Sequence, residues 1–312
     1  MILQRGQLLK GGTVNKMANH VPQNANEFIE QQLDGCIGSI EKIVKSDVLS
    51  FNGPLFMGVD DIIRNVVEAK CQTPPNKRRL TIVLTTTGGY IEVVHRIVDT
   101  IRNNYRYVDF IIPNYAYSAG TVFAMSGDAI YMDYYSRLGP IDPQIETSSG
   151  RQVSALGYLE QWERLIQKAQ NGSLTIPEIQ LMIDGFDQAE LYRFEQERAL
   201  SIALLEEWLV KYKFKNWKVT QTHGTKVTQK MRKKRASEIG TKLNDTKKWH
   251  THGHGISKAV LEKDLKLIID DFSQIPLLGD SIKNYHNLLT DYMGKRGTSG
   301  IIHVAGTYVP FI

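Results

Sequence analysis

Residues 80–89 read Leu80-Thr81-Ile82-Val83-Leu84-Thr85-Thr86-Thr87-Gly88-Gly89. The run from Leu80 to Thr86 is aliphatic and β-branched without polar alternation, so it reads as a strand buried on both faces. Gly88-Gly89 ends it. A helix follows over Tyr90–Asn103, where Ile91, Val94, Ile97, Val98 and Ile101 recur at helical spacing. Tyr107–Pro113 is a second apolar strand, and Ala129–Tyr135 a third. Between them, 114–120 is a turn and Thr121–Ser126 a short helix. Strand, helix, strand, helix, strand at this spacing predicts a βαβ arrangement around a parallel sheet.

Working toward the N-terminus, Val59–Lys70 is helical, with Ile62, Ile63, Val66 and Val67 inward. A short strand over Val48–Phe51 stops at Asn52-Gly53-Pro54. Asn26–Val44 carries Phe28, Ile29, Leu33, Ile37, Ile40 and Ile43 on one helical face. Residues 1–25 are polar and rich in Asn and Gln, so a mobile N-terminus is expected there. Past Gln144 strand signals nearly vanish. Helices are predicted over 154–170, 176–184, 187–213, 231–243, 257–265 and 278–294. The organisation read from the sequence is an α/β core over 26–150 and a mainly helical extension over 151–312.

Composition bounds the class. The chain has 312 residues, 42% of them hydrophobic, and a net charge of +5. Its mean hydropathy is −0.28. That balance excludes a mostly disordered chain. No apolar run approaches the ~18 residues of a membrane span. The first twenty residues lack the apolar core of a secretion signal. Two cysteines, Cys36 and Cys71, make neither a disulfide framework nor a zinc site. A cytoplasmic protein is the expectation. The positive charge is local: ten basic residues and no acid lie between Lys211 and Arg235, which leaves −5 for the rest of the chain.

Two loops fall at the carboxyl ends of consecutive parallel strands, where open α/β sheets place their sites. One is Thr85-Thr86-Thr87-Gly88-Gly89. The other is Asn114-Tyr115-Ala116-Tyr117-Ser118-Ala119-Gly120. Both enter helices, so free main-chain N–H groups converge between them. Paired glycines allow close backbone approach. A hydroxyl nucleophile beside two main-chain donors is the arrangement of acyl transfer. The plainer alternative is that Ser118 only caps a helix. A phosphate loop is a rival, but Gly88-Gly89 fits neither G-x-G-x-x-G nor G-x-x-x-x-G-K.

The stretch Leu84–Gln144 resembles the Clp/crotonase-fold serine peptidases. The motifs that carry this are Thr86-Thr87-Gly88-Gly89, Tyr117-Ser118-Ala119-Gly120-Thr121 and Ser136-Arg137-Leu138-Gly139-Pro140-Ile141-Asp142-Pro143-Gln144. They are most similar to the serine dehydrogenase proteinase family, relatives of signal peptide peptidase A. Trp249-His250-Thr251-His252-Gly253 also resembles a W-x-x-H-G element of that family. The resemblance spans about Asp47 to Ile269. It implies a Clp/crotonase-like α/β core and peptide-bond hydrolysis through an acyl-enzyme on Ser118. It further implies an oxyanion hole from Gly89 and Ala119 with Gly88 shaping the turn, a cleft lined by Asn114 and Tyr115, a homo-oligomer, and no metal or organic cofactor.

The base is left open. Clp peptidases use a Ser-His-Asp triad, yet no histidine lies between His95 and His223. Relatives of signal peptide peptidase A use a Ser–Lys dyad, and Lys168 lies 50 residues past Ser118 on the 154–170 helix. A lysine base must be desolvated for its pKa to fall toward neutral. Trp162, Leu165 and Ile166 would supply apolar neighbours. Asp142, between two prolines, is a second candidate, to orient a base or a water; a turn aspartate satisfying backbone donors is its plain alternative.

Three further features bear on function. His250, His252 and His254 alternate, so a metal site is conceivable, with a loop cap as the simpler account. The basic segment interleaves Tyr212, Phe214 and Trp217 with Lys211, Lys213, Lys215 and Lys218, which suits single-stranded nucleic acid or an acidic partner. The 187–213 helix carries Leu191, Phe194, Ile202, Leu205 and Leu209 on one stripe, a candidate oligomer interface. Two other functions compete with the peptidase: a silent Clp-fold scaffold binding through the basic segment, and a crotonase-type acyl-CoA enzyme.

Overall fold

A computed structural model describes residues 21–71, 79–142, 144–146, 152–220, 222, 224–249 and 253–311. Most of the 1–25 expectation, and His250 and His252, lie outside them. The first described element is α1 (Ala25–Val44), capped by the Asn24 side chain accepting from the Glu27 N–H at 3.0 Å. Then come β1 (Asp47–Asn52), α2 (Val59–Cys71), β2 (Arg79–Thr85), α3 (Ile91–Asn104), β3 (Tyr107–Ile112), β4 (Tyr115–Ala116), α4 (Ala119–Met125) and β5 (Ala129–Met132). These match the sequence reading to within a few residues, because periodicity and glycine breaks agree at each boundary.

After β5 the small strands β6 (Arg137–Leu138), β7 (Gln144–Glu146) and β8 (Gln152–Ser154) lead into α5 (Ala155–Gln170), α6 (Ile176–Gly185) and α7 (Gln188–Trp208). A π-turn over Leu209–Lys213 extends α7. Next are α8 (Gln229–Leu243), α9 (Thr246–Trp249), β9 (Ile256–Ser257), α10 (Lys258–Asp264) and α11 (Leu278–Arg296). Two more strands, β10 (Gly300–Val304) and β11 (Thr307–Phe311), close the chain.

The main sheet has the order β11-β10-β1-β2-β3-β5. β1, β2, β3 and β5 run parallel, as expected. The last hairpin corrects the mainly helical reading of 151–312: β10 pairs antiparallel with β1, placing Phe51 opposite Ile302, and β11 pairs with β10. The sheet is therefore mixed. Gly300-Ile301-Ile302-His303-Val304 is short and interrupted by a histidine, so its strand character depends on the edge of β1 that it covers.

One face of the sheet packs α2, α3, α4 and the end of α7 around Phe51, Leu84, Val94, Phe110 and Phe123. The other packs α1 and α11 around Leu33, Ile37, Val83, Ile111 and Tyr285. The α7 stripe expected at an oligomer interface is buried inside the chain: Leu191, Phe194, Leu205 and Leu209 are each covered, and Ile202 is half-buried against α8. On the neighbouring α6, Ile176, Leu181 and Ile183 face solvent.

Candidate active site

The two loops singled out in the sequence are stitched together by main-chain bonds. The Thr86 N–H donates to the Tyr115 carbonyl at 3.0 Å, and the Tyr117 N–H donates to the Thr86 carbonyl at 3.0 Å. On its other side the glycine loop is pinned to Leu55, whose N–H donates to the Gly88 carbonyl at 2.8 Å and whose carbonyl accepts from the Tyr90 N–H at 2.7 Å. In such a parallel bridge the residue between those two groups turns its own N–H and C=O the opposite way. Gly89 therefore directs its N–H away from Leu55.

Gly88 and Ser118 touch. A Cβ built on Gly88 would stand 2.7 Å from the Ser118 Cβ and 2.8 Å from the Tyr117 carbonyl. One built on Gly89 would stand 2.0 Å from the Leu55 carbonyl oxygen. Their φ values, 103° and 144°, are open to glycine and disfavoured for other residues. Both positions need glycine for space and for backbone angle.

Ser118 lies between β4 and α4 at φ 53°, ψ −123°, a conformation that costs a non-glycine residue about 1–3 kcal/mol. It is half-buried, and its side chain makes no helix-capping bond. The capping alternative is therefore not what the hydroxyl does. The bonds of this turn begin at Gly120, whose N–H donates to the Tyr117 carbonyl at 2.8 Å. Neither the Ala119 N–H nor the Gly89 N–H has an acceptor among the described residues. A strained hydroxyl and two unspent amides thus stand at adjoining positions.

The Leu-Gly-Pro segment buttresses the turn. The Gly139 N–H donates to Thr121 Oγ1 at 2.9 Å, and the same oxygen lies 2.8 Å from the Ala116 carbonyl. A Cβ on Gly139 would meet Tyr117 at 2.8 Å. Asn114 is tied through its carbonyl to the Arg137 N–H at 2.7 Å. Tyr115 stacks on Tyr117 with ring centroids 5.0 Å apart. Asp142 is buried, just beyond this segment. Sequence reasoning missed Leu55, Thr86 and Thr121 as the parts that fix the geometry. Only the T-x-G-G and Y-S-A-G-T motifs hinted at the last two, and nothing marked Leu55.

Lys168 is placed differently from expectation. It sits in the last turn of α5, with its ammonium 2.5 Å from Glu178 on α6. Its side chain keeps 40% of its exposure, so the desolvation expected of a lysine base is not met in this arrangement. The Lys168 hydrogen bond, with help from Thr175, pulls the Glu178 carboxyl down to about 2. The aromatics of the basic segment are also committed internally. Tyr212 lies under Arg102 at 3.6 Å, and Phe214 packs edge-on against Trp217. Among the described residues no group of His, Cys, Asp and Glu could hold a metal ion. No described helix is long and apolar enough to cross a membrane.

Residues 30–177, just under half of the chain, match the family model of ClpP-like SDH-type serine proteinases. The resemblance drawn from the motifs is borne out over that segment. Two uncharacterised proteins of Methanocaldococcus jannaschii are similar, one 26% identical over 159 residues and the other 32% identical over 71. The first match covers 46% of this chain and 51% of the relative, the second 23% and 25%. The chain thus spans about half of one relative and a quarter of the other. Among solved structures, two forms of a membrane-bound stomatin-specific protease are similar at 21% and 22% identity. One is a serine-to-alanine mutant. The other is a lysine-to-alanine mutant in complex with a substrate peptide. Their TM-scores are 0.32 and 0.31, over 37% and 36% of this chain and 56% and 54% of theirs.

Proposed function

We propose that the protein is a serine peptidase that cleaves peptide bonds through an acyl-enzyme on Ser118. The observation that carries this is the strained, uncapped Ser118 against Gly88, with the Gly89 and Ala119 N–H groups left without acceptors. In this reading a neutral base takes the Ser118 proton as Oγ attacks the carbonyl carbon. The resulting oxyanion accepts from the two amides. Collapse expels the amine, which takes the proton from the base, and water then hydrolyses the ester. Leu55 already occupies one side of Gly89, so an extended substrate would run along the other.

Lys168 is the proposed base, and it becomes free to act when its pair with Glu178 opens. Asp142 is proposed to orient that base or a water. The test is labelling with a fluorophosphonate probe, read by mass spectrometry. Modification of Ser118 in the native protein, absent from Ser118→Ala, is the expected result. The closed Lys168–Glu178 pair favours a second reading, a silent scaffold of the same fold. Absence of labelling in both the native protein and Glu178→Gln would decide for the scaffold.

A further inference from the structure

The segment 211–235, with ten basic residues and no acid, has no part in the site at Ser118. Some of its charge is committed inside the chain. Lys211 pairs with Glu207, Lys215 with Asp128 and Arg235 with Glu238. Arg232 donates to the Trp217 carbonyl at 2.8 Å, and Lys213 is half-buried. The other basic residues, Lys218, Lys226, Lys230, Lys233 and Lys234, are all exposed. Their ammonium groups have no partner among the described residues.

These lysines lie together. The chain folds back between 218 and 227: the Val227 N–H donates to the Lys218 carbonyl at 2.8 Å, and the Thr220 N–H to the Thr225 carbonyl at 2.9 Å. This hairpin runs directly into α8, whose N-cap Thr228 accepts from the Met231 N–H. Lys230, Lys233 and Lys234 stand at i, i+3 and i+4, so they share one face of the first turns of α8. The opposite face, with Ala236, Ile239 and Leu243, is buried in the chain. Asn216, Thr225 and Gln229, exposed among the lysines, are neutral hydrogen-bonding groups. Fold stability does not account for this placement. The lysines gather at the positive end of the α8 dipole, and Lys230 repels Lys234 one turn on. A polyanion would relieve both costs.

The neighbouring side chains narrow the partner. Tyr212 lies under Arg102 and Phe214 packs on Trp217, so the segment offers no free ring on which unpaired bases could stack. Arg232 and Arg235 are held internally, so no guanidinium is free to read base edges. Val219 is the one large apolar side chain exposed on the described part of the segment, too little for the apolar face that enters a lipid surface. What remains is a fixed group of point charges among neutral donors, the chemistry of phosphate contact. A nucleic-acid duplex presents one such charge per ~1.7 Å of its axis.

We propose that Lys218, Lys226, Lys230, Lys233 and Lys234 form a surface that binds double-stranded nucleic acid through its phosphates, without reading base sequence. The surface does not depend on the chemistry at Ser118. Lys215 anchors the segment to Asp128 just before β5, at the opposite end of the parallel strands from the Ser118 turn.

Fluorescence anisotropy of a labelled mixed-sequence DNA duplex with the full chain, in salt from about 50 to 200 mM, tests it. Contacts from the five lysines predict a slope of log K against log salt of about −4 to −5, a loss on the order of 500-fold across that range. Lys230→Gln, Lys233→Gln and Lys234→Gln together should bring the slope to about −2 and weaken binding at the lowest salt by at least about tenfold. The same loss of charge elsewhere, Lys42→Gln, Lys283→Gln and Lys295→Gln together, should leave both unchanged. No binding at the lowest salt, a native slope shallower than about −2, or equal loss in the two variants would overturn the surface. Tighter binding to the corresponding single strand, to phosphatidylserine vesicles or to polyglutamate would overturn the choice of partner. Should the α8 variant not fold, the slope and the competing ligands on the native chain still decide.

Discussion

Ser118 holds its backbone in a region that few residues tolerate, and the loops around it hold it there. Thr86 bonds the turn on both sides of Ala116, and Gly139 closes it from the other flank. Gly89 has the least room of these positions. Gly89→Ala must push its Cβ away from a carbonyl oxygen 2.0 Å off, so the loop has to move. We expect fluorophosphonate labelling of Ser118 to slow by on the order of 10²–10³, the usual effect of losing one oxyanion donor. Thermal unfolding should show a loss of about 1–3 kcal/mol. Unchanged labelling would remove the Gly89 N–H from the oxyanion hole. Lys213 makes a second prediction at this scale. Burial pulls its amine down to about 8 against the pull of Asp270, Asp109 and Asp128. The unfolded chain then binds more protons than the folded one from about pH 8 up to the ordinary lysine value of 10.5. Stability should therefore rise across that window, relative to a Lys213→Met variant measured in parallel. A constant difference in melting temperature over that range would refute the assignment.

At the scale of elements, α5 and α6 decide the state of the base. Their join is the Lys168–Glu178 pair, reinforced where the Thr175 hydroxyl and Glu178 form a capping box. Glu178→Gln removes the charge that holds Lys168. If Lys168 is the base, labelling of Ser118 should quicken in this variant and drop on the further change Lys168→Ala. The same pair sets an acid limit. The Glu178 carboxyl is lowered from 4.5 to about 2, so the stabilisation it gives is present above about pH 4.5 and fades as pH falls toward 2. Circular dichroism at 222 nm should place the acid unfolding of Glu178→Gln differently from that of the native chain within this window.

Across the whole molecule, the first and last described elements are joined. α1 packs on α11, and β10 lies against β1. His303, fully buried, bonds Tyr285 at 2.9 Å and Asp34 at 3.0 Å, so α1, α11 and β10 meet at one side chain. The C-terminal hairpin is thus part of the six-stranded sheet whose strand β2 leads into Gly88-Gly89, although it lies outside the matched segment 30–177. Ile302→Ala, at a fully buried position on β10, should cost about 2–5 kcal/mol in denaturant unfolding. A surface-like cost below ~0.5 kcal/mol would show the hairpin to be dispensable.

The sequence by itself determined the parallel core and the position of the candidate nucleophile. Leu80–Thr86, Tyr107–Ile112 and Ala129–Met132 are each apolar enough to demand burial, and the glycines and Ser118 sit where those strands must turn. These are local facts, carried by neighbouring residues. Only the tertiary structure decided the rest. Leu55 turns Gly89 through main-chain bonds that any residue could make, so no residue type announces it. The hairpin 300–311 becomes strand by pairing with an edge more than two hundred residues away. Glu178 captures Lys168 across a helix junction. Each depends on which distant groups meet in space, and long-range pairing leaves no periodic trace in the chain.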